Sequence, residues 1–169
     1  MGGRTLCSKP SLMAVKSQIA TKLERLRSLS LSDWSILVQL AAFCGALAIA
    51  LRITSWRRVA RALMSGSRMA WLRRFPLFHL AYSLDNLYPL VEMATSTCLR
   101  NRCLVRSLMR LWLLRCRGVS AEIVLGVRKR AGLFEAHAWT VSERGLEGER
   151  PDEIASYTSL VTSGELERL

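Results

Sequence analysis

The sequence is poor in the residues from which metal sites and disulfide frameworks are built. Its 169 residues include two histidines and five cysteines, and no two cysteines have the spacing C-x-x-C. A structural zinc site needs about four such ligands, usually in closely spaced pairs, so no metal site is expected. The odd number of cysteines also argues against a disulfide framework and is typical of a protein from a reducing cytoplasm.

Targeting and nucleotide-binding signals are missing as well. Residues 1–22 lack the continuous apolar segment of a secretory signal. Leu6 stands where N-myristoylation requires Ser or Thr. No glycine-rich phosphate loop occurs, so an ATP site is not expected. The chain is predicted to act without a cofactor.

Acidic residues are scarce in the first part of the chain. Residues 1–103 carry 15 Lys and Arg against 4 Asp and Glu, whereas residues 104–169 carry 10 against 9. From Arg52 to Arg74 there are seven arginines and no acid, and the apolar spacing predicts an amphipathic helix broken near Ser65-Gly66-Ser67. Such a helix can present a solvated surface or bind an acidic partner or anionic lipid. No nucleic-acid motif accompanies it, so nucleic acid is not an expected partner.

What the chain does have is a long apolar run from Ile36 to Leu51. As a helix this run is about 24 Å long, at ~1.5 Å per residue, which is short of the ~30 Å hydrocarbon core of a bilayer. We therefore expect a buried core helix, capped by Ser32-Asp33. Membrane association through residues 36–58 is the alternative, because residues that suit a membrane interface follow the run: Arg52, Trp56, Arg57 and Arg58.

The composition predicts a division near residue 75, between a basic, helical N-terminal region (1–75) and a second domain (76–169). In the second domain a helix opens at Cys103 and ends before Gly118, which is expected at the C′ position. Three strands are predicted after it: Val119–Val127, Leu133–Val141 and Leu146–Glu149. This order predicts an α+β fold with a helix packed on a small antiparallel sheet.

Cys103 and His137 are the candidate catalytic pair. A thiol at a helix N-terminus lies near the positive end of the helix dipole, which favours the thiolate, and an imidazole on the second strand can take its proton. Each residue alone more often has a buried structural role than a catalytic one. The order of helix, hairpin and histidine is what favours a nucleophile and its base. Cys98, before the helix, and Cys116, at its end, are weaker candidates.

A third group should orient the imidazole through the nitrogen that does not face sulfur. Glu149 follows His137 by 12 residues, across a predicted hairpin turn. Asp152 is the alternative acid. The oxyanion of an acyl-transfer reaction would need two donors, of which the backbone N–H of Cys103 is one candidate.

Four short segments of the second domain form a distinctive series: Cys103-Leu104-Val105-Arg106-Ser107-Leu108, Leu114-Arg115-Cys116-Arg117-Gly118-Val119-Ser120-Ala121, Leu125-Gly126-Val127-Arg128 and Ala136-His137-Ala138-Trp139. The series resembles the lasso-peptide leader peptidase family, bacterial processing proteins with a papain- or transglutaminase-like cysteine protease core. The resemblance covers about residues 98–160. It implies Cys103 as nucleophile and His137 as base. The third member in that family is usually an aspartate, whereas this chain has Glu149.

The resemblance also implies the reaction and its partners. The thiol would cleave the peptide bond between leader and core in a ribosomally made lasso-peptide precursor. A separate leader-recognition protein would deliver the precursor, and a lactam-forming synthetase would close the ring on the freed amine. Two alternatives stay open: a transglutaminase- or acetyltransferase-like acyl transferase that uses the same Cys/His pair, and a non-catalytic membrane-associated scaffold.

Overall fold

A computed structural model describes residues 29–67, 69, 74–77, 79–96, 102–130 and 132–163. Five α-helices occur in these residues: α1 Leu31–Ile53, α2 Trp56–Gly66, α3 Leu84–Thr95, α4 Arg102–Cys116 and the short α5 Pro151–Ile154. A short 3₁₀ helix, His79–Ala81, precedes α3. Three strands lie between α4 and α5: β1 Ala121–Arg130, β2 Leu133–Ser142 and β3 Gly145–Leu146. A fourth, β4 Thr158–Thr162, follows α5. They form one antiparallel sheet in the order β3-β2-β1-β4. The predicted α+β fold is confirmed.

The chain divides into two units, residues 1–34 and 35–169. In the first unit the start of α1 is described. Ser30 Oγ accepts a hydrogen bond from the Asp33 N–H (3.1 Å), and Asp33 Oδ2 accepts one from the Ser30 N–H (2.9 Å). This reciprocal capping box begins the helix earlier than the cap predicted at Ser32-Asp33. Residues on both sides of position 75 belong to the second unit, and the division predicted there stays a prediction.

Helix α1 is apolar around most of its circumference. One face is buried and consists of Ile36, Leu37, Leu40, Cys44 and Leu47. Beside this face, the ring of Phe43 lies 5.9 Å from that of Trp112 on α4. On the opposite face Val38 is 62% exposed and Ile49 59% exposed. Of the described helices, α1 alone is long and apolar enough to cross a membrane, with a mean hydropathy of 2.2. It is compatible with core packing and with membrane association.

Helix α2 is amphipathic, as the arginine pattern predicts. Its buried side chains are Val59, Ala60 and Met64, and Arg57, Arg58 and Arg61 are exposed. The helix ends at Gly66, within the break predicted at Ser65-Gly66-Ser67. Arg68 and Arg73 of the predicted basic segment lie outside the described residues.

Helix α4 is buried along most of its length and packs against α2, α3, β1 and β2. It ends as the sequence predicts. Gly118 takes a φ of +77°, a conformation that costs glycine little, so the N–H groups of Gly118 and Val119 turn back to the carbonyls of Arg115 and Leu114 (both 3.0 Å). Because this turn reverses the chain, β1 runs back along the helix that carries Cys103.

The sheet differs from the prediction after its second strand. β1 and β2 form the predicted hairpin, with Gly126 opposite His137. The third strand is only Gly145–Leu146, and Glu149 lies in the loop that follows, because Gly148 takes a φ of +66° and leaves the extended conformation. Helix α5 and strand β4 are elements that the sequence pattern did not predict.

Candidate active site

Two polar residues fix α4 against β2. Ser107 Oγ, one turn after Cys103, lies 2.9 Å from the carbonyl oxygen of Ala138 and 3.0 Å from that of Cys103. Thr140 Oγ1 donates to the carbonyl oxygen of Ser107 at 3.1 Å. Ser107 and Thr140 are fully buried. These bonds set the N-terminal turn of α4 beside Ala138, the residue that follows His137.

The Cys103 thiol is half-buried in the first turn of α4. Its pKa is lowered, mainly by a hydrogen bond with His137 and further by hydrogen bonds from the backbone of Ala138 and Leu104, and these outweigh the burial that opposes ionisation. The structure therefore brings together the thiol and imidazole that the sequence analysis paired. A lowered pKa increases the thiolate fraction at neutral pH, and the thiolate is the nucleophilic form.

His137 lies on β2 between sulfur and carboxylate. Its Nε2 is 3.7 Å from Glu149 Oε2, so Nδ1 is the nitrogen left for the thiol. The hydrogen bond with Cys103, followed by the interaction with the Glu149 carboxylate at 3.7 Å, raises the pKa of His137 to about 9, against the opposing effect of burial. An imidazolium with this pKa can pair with a thiolate near neutral pH and later release its proton to a leaving group.

Glu149 is held as a carboxylate. Its side chain is 6% exposed, and burial alone would raise its pKa. The interaction with His137 and the charges of Arg106 and Arg110 outweigh this effect and lower the pKa of Glu149. Arg106 lies 2.7 Å and Arg110 2.8 Å from Glu149 Oε1. Asp152, the alternative acid, is exposed and pairs with Arg150 at 2.9 Å. The geometry favours Glu149 as the third group.

Arg110 anchors the loop that carries Glu149. The guanidinium is 1% exposed, donates to the carbonyl oxygens of Glu147 (3.0 Å) and Gly148 (3.1 Å), and pairs with Glu92 of α3 at 2.8 Å. Arg106 also pairs with Glu92, at 3.1 Å. No pattern used above predicted this network. The helical spacing could have predicted it, since positions 103, 106 and 110 share one face of a helix.

Aromatic rings enclose the imidazole on the other side. The ring centroid of His137 lies 5.3 Å from that of Tyr157 and 6.2 Å from that of Trp139, which is nearly parallel to it. Gly126, opposite His137 in the sheet, makes room for the indole, because a Cβ there would stand 2.5 Å from Trp139 Cη2 and 2.9 Å from the Thr158 carbonyl oxygen. The glycine of the Gly-Val-Arg segment is therefore a packing requirement of the site.

A metal centre and a second reactive cysteine are the alternative sites within the described residues. The described residues contain no group of three or more His, Cys, Asp or Glu that could hold a metal ion. Cys116 is buried at the C-terminal end of α4, and Cys98 lies outside the described residues. A thiolate, a proton carrier and an orienting carboxylate can together form and break an acyl-sulfur bond.

The pKa of Cys103 gives a measurable pH dependence. Alkylation by iodoacetamide requires the thiolate, so its rate rises with pH through the pKa of the thiol. We expect the midpoint for Cys103 to lie below that of an ordinary thiol and to move upward in His137→Ala, which removes the hydrogen bond that lowers the pKa of Cys103. Rates are measured against pH, with peptide mass mapping to follow Cys103 alone. Equal midpoints for the two proteins would contradict the pairing.

One comparison with known proteins identifies a superfamily. A family model described as the transglutaminase-like superfamily matches residues 41–162, a range that includes Cys103, His137 and Glu149. Members of that superfamily are typically cysteine-dependent enzymes. Searches of curated proteins and of solved structures give no match.

Proposed function

The chain belongs to the transglutaminase-like superfamily, and from this membership we propose that it is a cysteine peptidase that removes the leader peptide from a lasso-peptide precursor. The observation that carries the proposal is the hydrogen-bonded pair of Cys103 and His137, in which the pKa of the thiol is lowered and that of the imidazole is raised to about 9. Glu149 is the proposed third member. The series of four segments around these residues supports the choice of a leader peptidase within the superfamily.

The first half-reaction transfers the leader to sulfur. The Cys103 thiolate attacks the carbonyl carbon of the last leader residue, forming a carbon–sulfur bond. The backbone N–H of Cys103 lies in the first turn of α4, where it has no intrahelical acceptor, so it can donate to the oxyanion. As the carbon–nitrogen bond breaks, the His137 imidazolium gives its proton to the departing amine of the core peptide.

The second half-reaction releases the leader. Neutral His137 takes a proton from water, the hydroxide adds to the thioester carbon, and the carbon–sulfur bond breaks to return the thiolate and leave a leader carboxylate. Glu149 stays ionised throughout, since its lowered pKa keeps the charge that orients and stabilises the imidazolium. Arg106 and Arg110 hold this carboxylate in place.

The proposed partners follow from the same family series. They are the precursor peptide, a separate leader-recognition protein and a lactam-forming synthetase that uses the freed amine. A cytoplasmic location would give all four components access to one another. Contact of α1 with a membrane is part of the proposal, supported by the exposed Val38 and Ile49 and by the exposed Arg52, Arg57 and Arg58 beyond them.

Product masses test the proposed reaction. The protein is incubated with a candidate lasso-peptide precursor and a leader-recognition protein, and the masses of the products are measured. A leader with a free carboxylate and a core with a free amine are the expected products. A leader joined to an added amine would instead identify an acyl transferase with the same pair of residues, and an uncut precursor in the presence of all partners would contradict both reactions.

A further inference from the structure

Among the residues that the structure describes, the outer edge of β2 is open along most of its length. On that side β3 pairs only with Val141 and Ser142, and the strand order puts β1 on the other side. No other strand in the described ranges reaches this edge. Open strand edges present unpaired N–H and C=O groups and are templates for an added strand.

The direction of the peptide groups follows from the neighbouring strand. On the β4 side, the Ser163 N–H donates to the Ile123 carbonyl oxygen at 2.8 Å, and the Ile123 N–H donates to Ser163 Oγ at 2.9 Å. Because the backbone N–H and C=O groups of successive residues point to opposite sides of a strand, those of Val124 point toward β2. Those of its partner Trp139 point toward β1. The residues at even positions in β2, from Phe134 to Thr140, therefore direct their N–H and C=O groups away from β1. At Thr140 the outward carbonyl oxygen already accepts a hydrogen bond from the Glu147 N–H, at 3.0 Å.

The reacting sulfur lies on this same edge. The backbone of Ala138 hydrogen-bonds the Cys103 sulfur, and the Ala138 carbonyl lies 2.9 Å from Ser107 Oγ, so α4 covers the edge at this position. The next outward-facing residues, Ala136 and Phe134, are exposed, and no hydrogen bond to their outward groups comes from the described residues. Within the described residues, the open part of the edge therefore begins at Ala136, two residues before the Ala138 that contacts the sulfur.

We propose that the substrate peptide binds as an added strand on this edge, its backbone pairing with Ala136 and Phe134. This inference rests on the proposed peptidase function and specifies how that function selects its substrate. The paired segment is the leader side of the cleavage point, because the leader is the acyl group: it is transferred to Cys103 in the first half-reaction and stays on the sulfur until the second releases it. Backbone pairing recognises an extended peptide with little dependence on its side chains.

Peptidyl chloromethyl ketones test the pairing on the unaltered protein. The Cys103 thiolate displaces chloride from such a reagent and forms a thioether, and the peptide occupies the leader side. Reagents with one, two and three alanines after an acetyl group are compared with iodoacetamide, which reports the thiolate alone. We expect the rate constant to rise at least about tenfold from the one-alanine to the three-alanine reagent, from a few backbone hydrogen bonds.

N-methylation of the three-alanine reagent gives the signature of a strand. Only alternate residues of an added strand direct their N–H groups to β2. Methylating one set of positions should therefore slow the reaction, and methylating the intervening positions should not. A side-chain pocket would show no such alternation.

Ala136→Pro is the matched protein variant. The Ala136 N–H faces the open edge, so proline removes a donor that the sheet does not use. The rate constant for the three-alanine reagent, divided by that for iodoacetamide, should fall at least about fivefold. Ala136→Ser, which keeps the N–H, should restore the ratio.

The outcomes separate the two proposals. Rapid alkylation by iodoacetamide with no effect of peptide length, N-methylation or Ala136→Pro would overturn the edge and leave the nucleophile intact. Slow alkylation by every reagent at neutral pH would overturn the nucleophile itself. A length effect without alternation would also overturn the strand, even if Ala136→Pro failed to fold.

Discussion

Cys103→Ala should abolish precursor cleavage, with a loss of about 10⁶-fold or to the detection limit. The variant keeps the helix and the sheet but has no atom that can form the acyl intermediate, and removal of a catalytic nucleophile has effects of this size. Cleavage is followed by the mass of the released leader, with far-ultraviolet circular dichroism to verify that the variant folds.

Cys116→Ala is the matched control for this variant. Cys116 lies at the other end of α4, where the helix dipole disfavours a thiolate, and it is buried. It should cleave the precursor within a few-fold of the unaltered protein. Cleavage by Cys103→Ala at the unaltered rate would show that Cys103 is not the nucleophile and would remove the basis for the proposed cysteine peptidase.

Arg110→Met should lower the free energy of unfolding by about 3–5 kcal/mol, as expected when one partner of a buried ion pair is removed. The 1% exposed guanidinium neutralises Glu149 and satisfies the carbonyls of Glu147 and Gly148, and methionine can do neither. The loop that carries Glu149 then loses its anchor, so the pKa of His137 should fall toward its ordinary value. Urea unfolding and histidine titration by NMR measure the two effects.

Two variants identify the cause of that loss. In Arg110→Met with Glu149→Gln, the buried carboxylate is replaced by a neutral amide, and part of the stability should return. Arg57→Met removes an exposed arginine of α2 and should change the unfolding midpoint very little. Equal midpoints for Arg110→Met and Arg57→Met would show that the network adds no stability.

Local signals predicted the elements that carry the pair. Gly118 ends α4 and allows the chain to turn back into β1, as the C′ pattern indicated. The alternation through Val119–Val141 predicted the hairpin, although β1 begins at Ala121 and both strands are longer than expected. Such features depend on neighbouring residues, so they can be read along the chain. The extent of the third strand could not, since two residues pair with β2 and Gly148 then turns the chain away.

The sequence by itself identified the candidate thiol and imidazole and the elements that carry them, because helix ends, strand alternation and residue chemistry are local properties. Tertiary structure decided which acid faces the imidazole. Glu149 and Asp152 are close in sequence, but Arg106 and Arg110 of α4 hold only Glu149 within 3.7 Å of His137, while Asp152 pairs with Arg150 at the surface. It also placed no further strand of the described residues on the outer edge of β2 beside the sulfur, since strand order depends on contacts between distant segments.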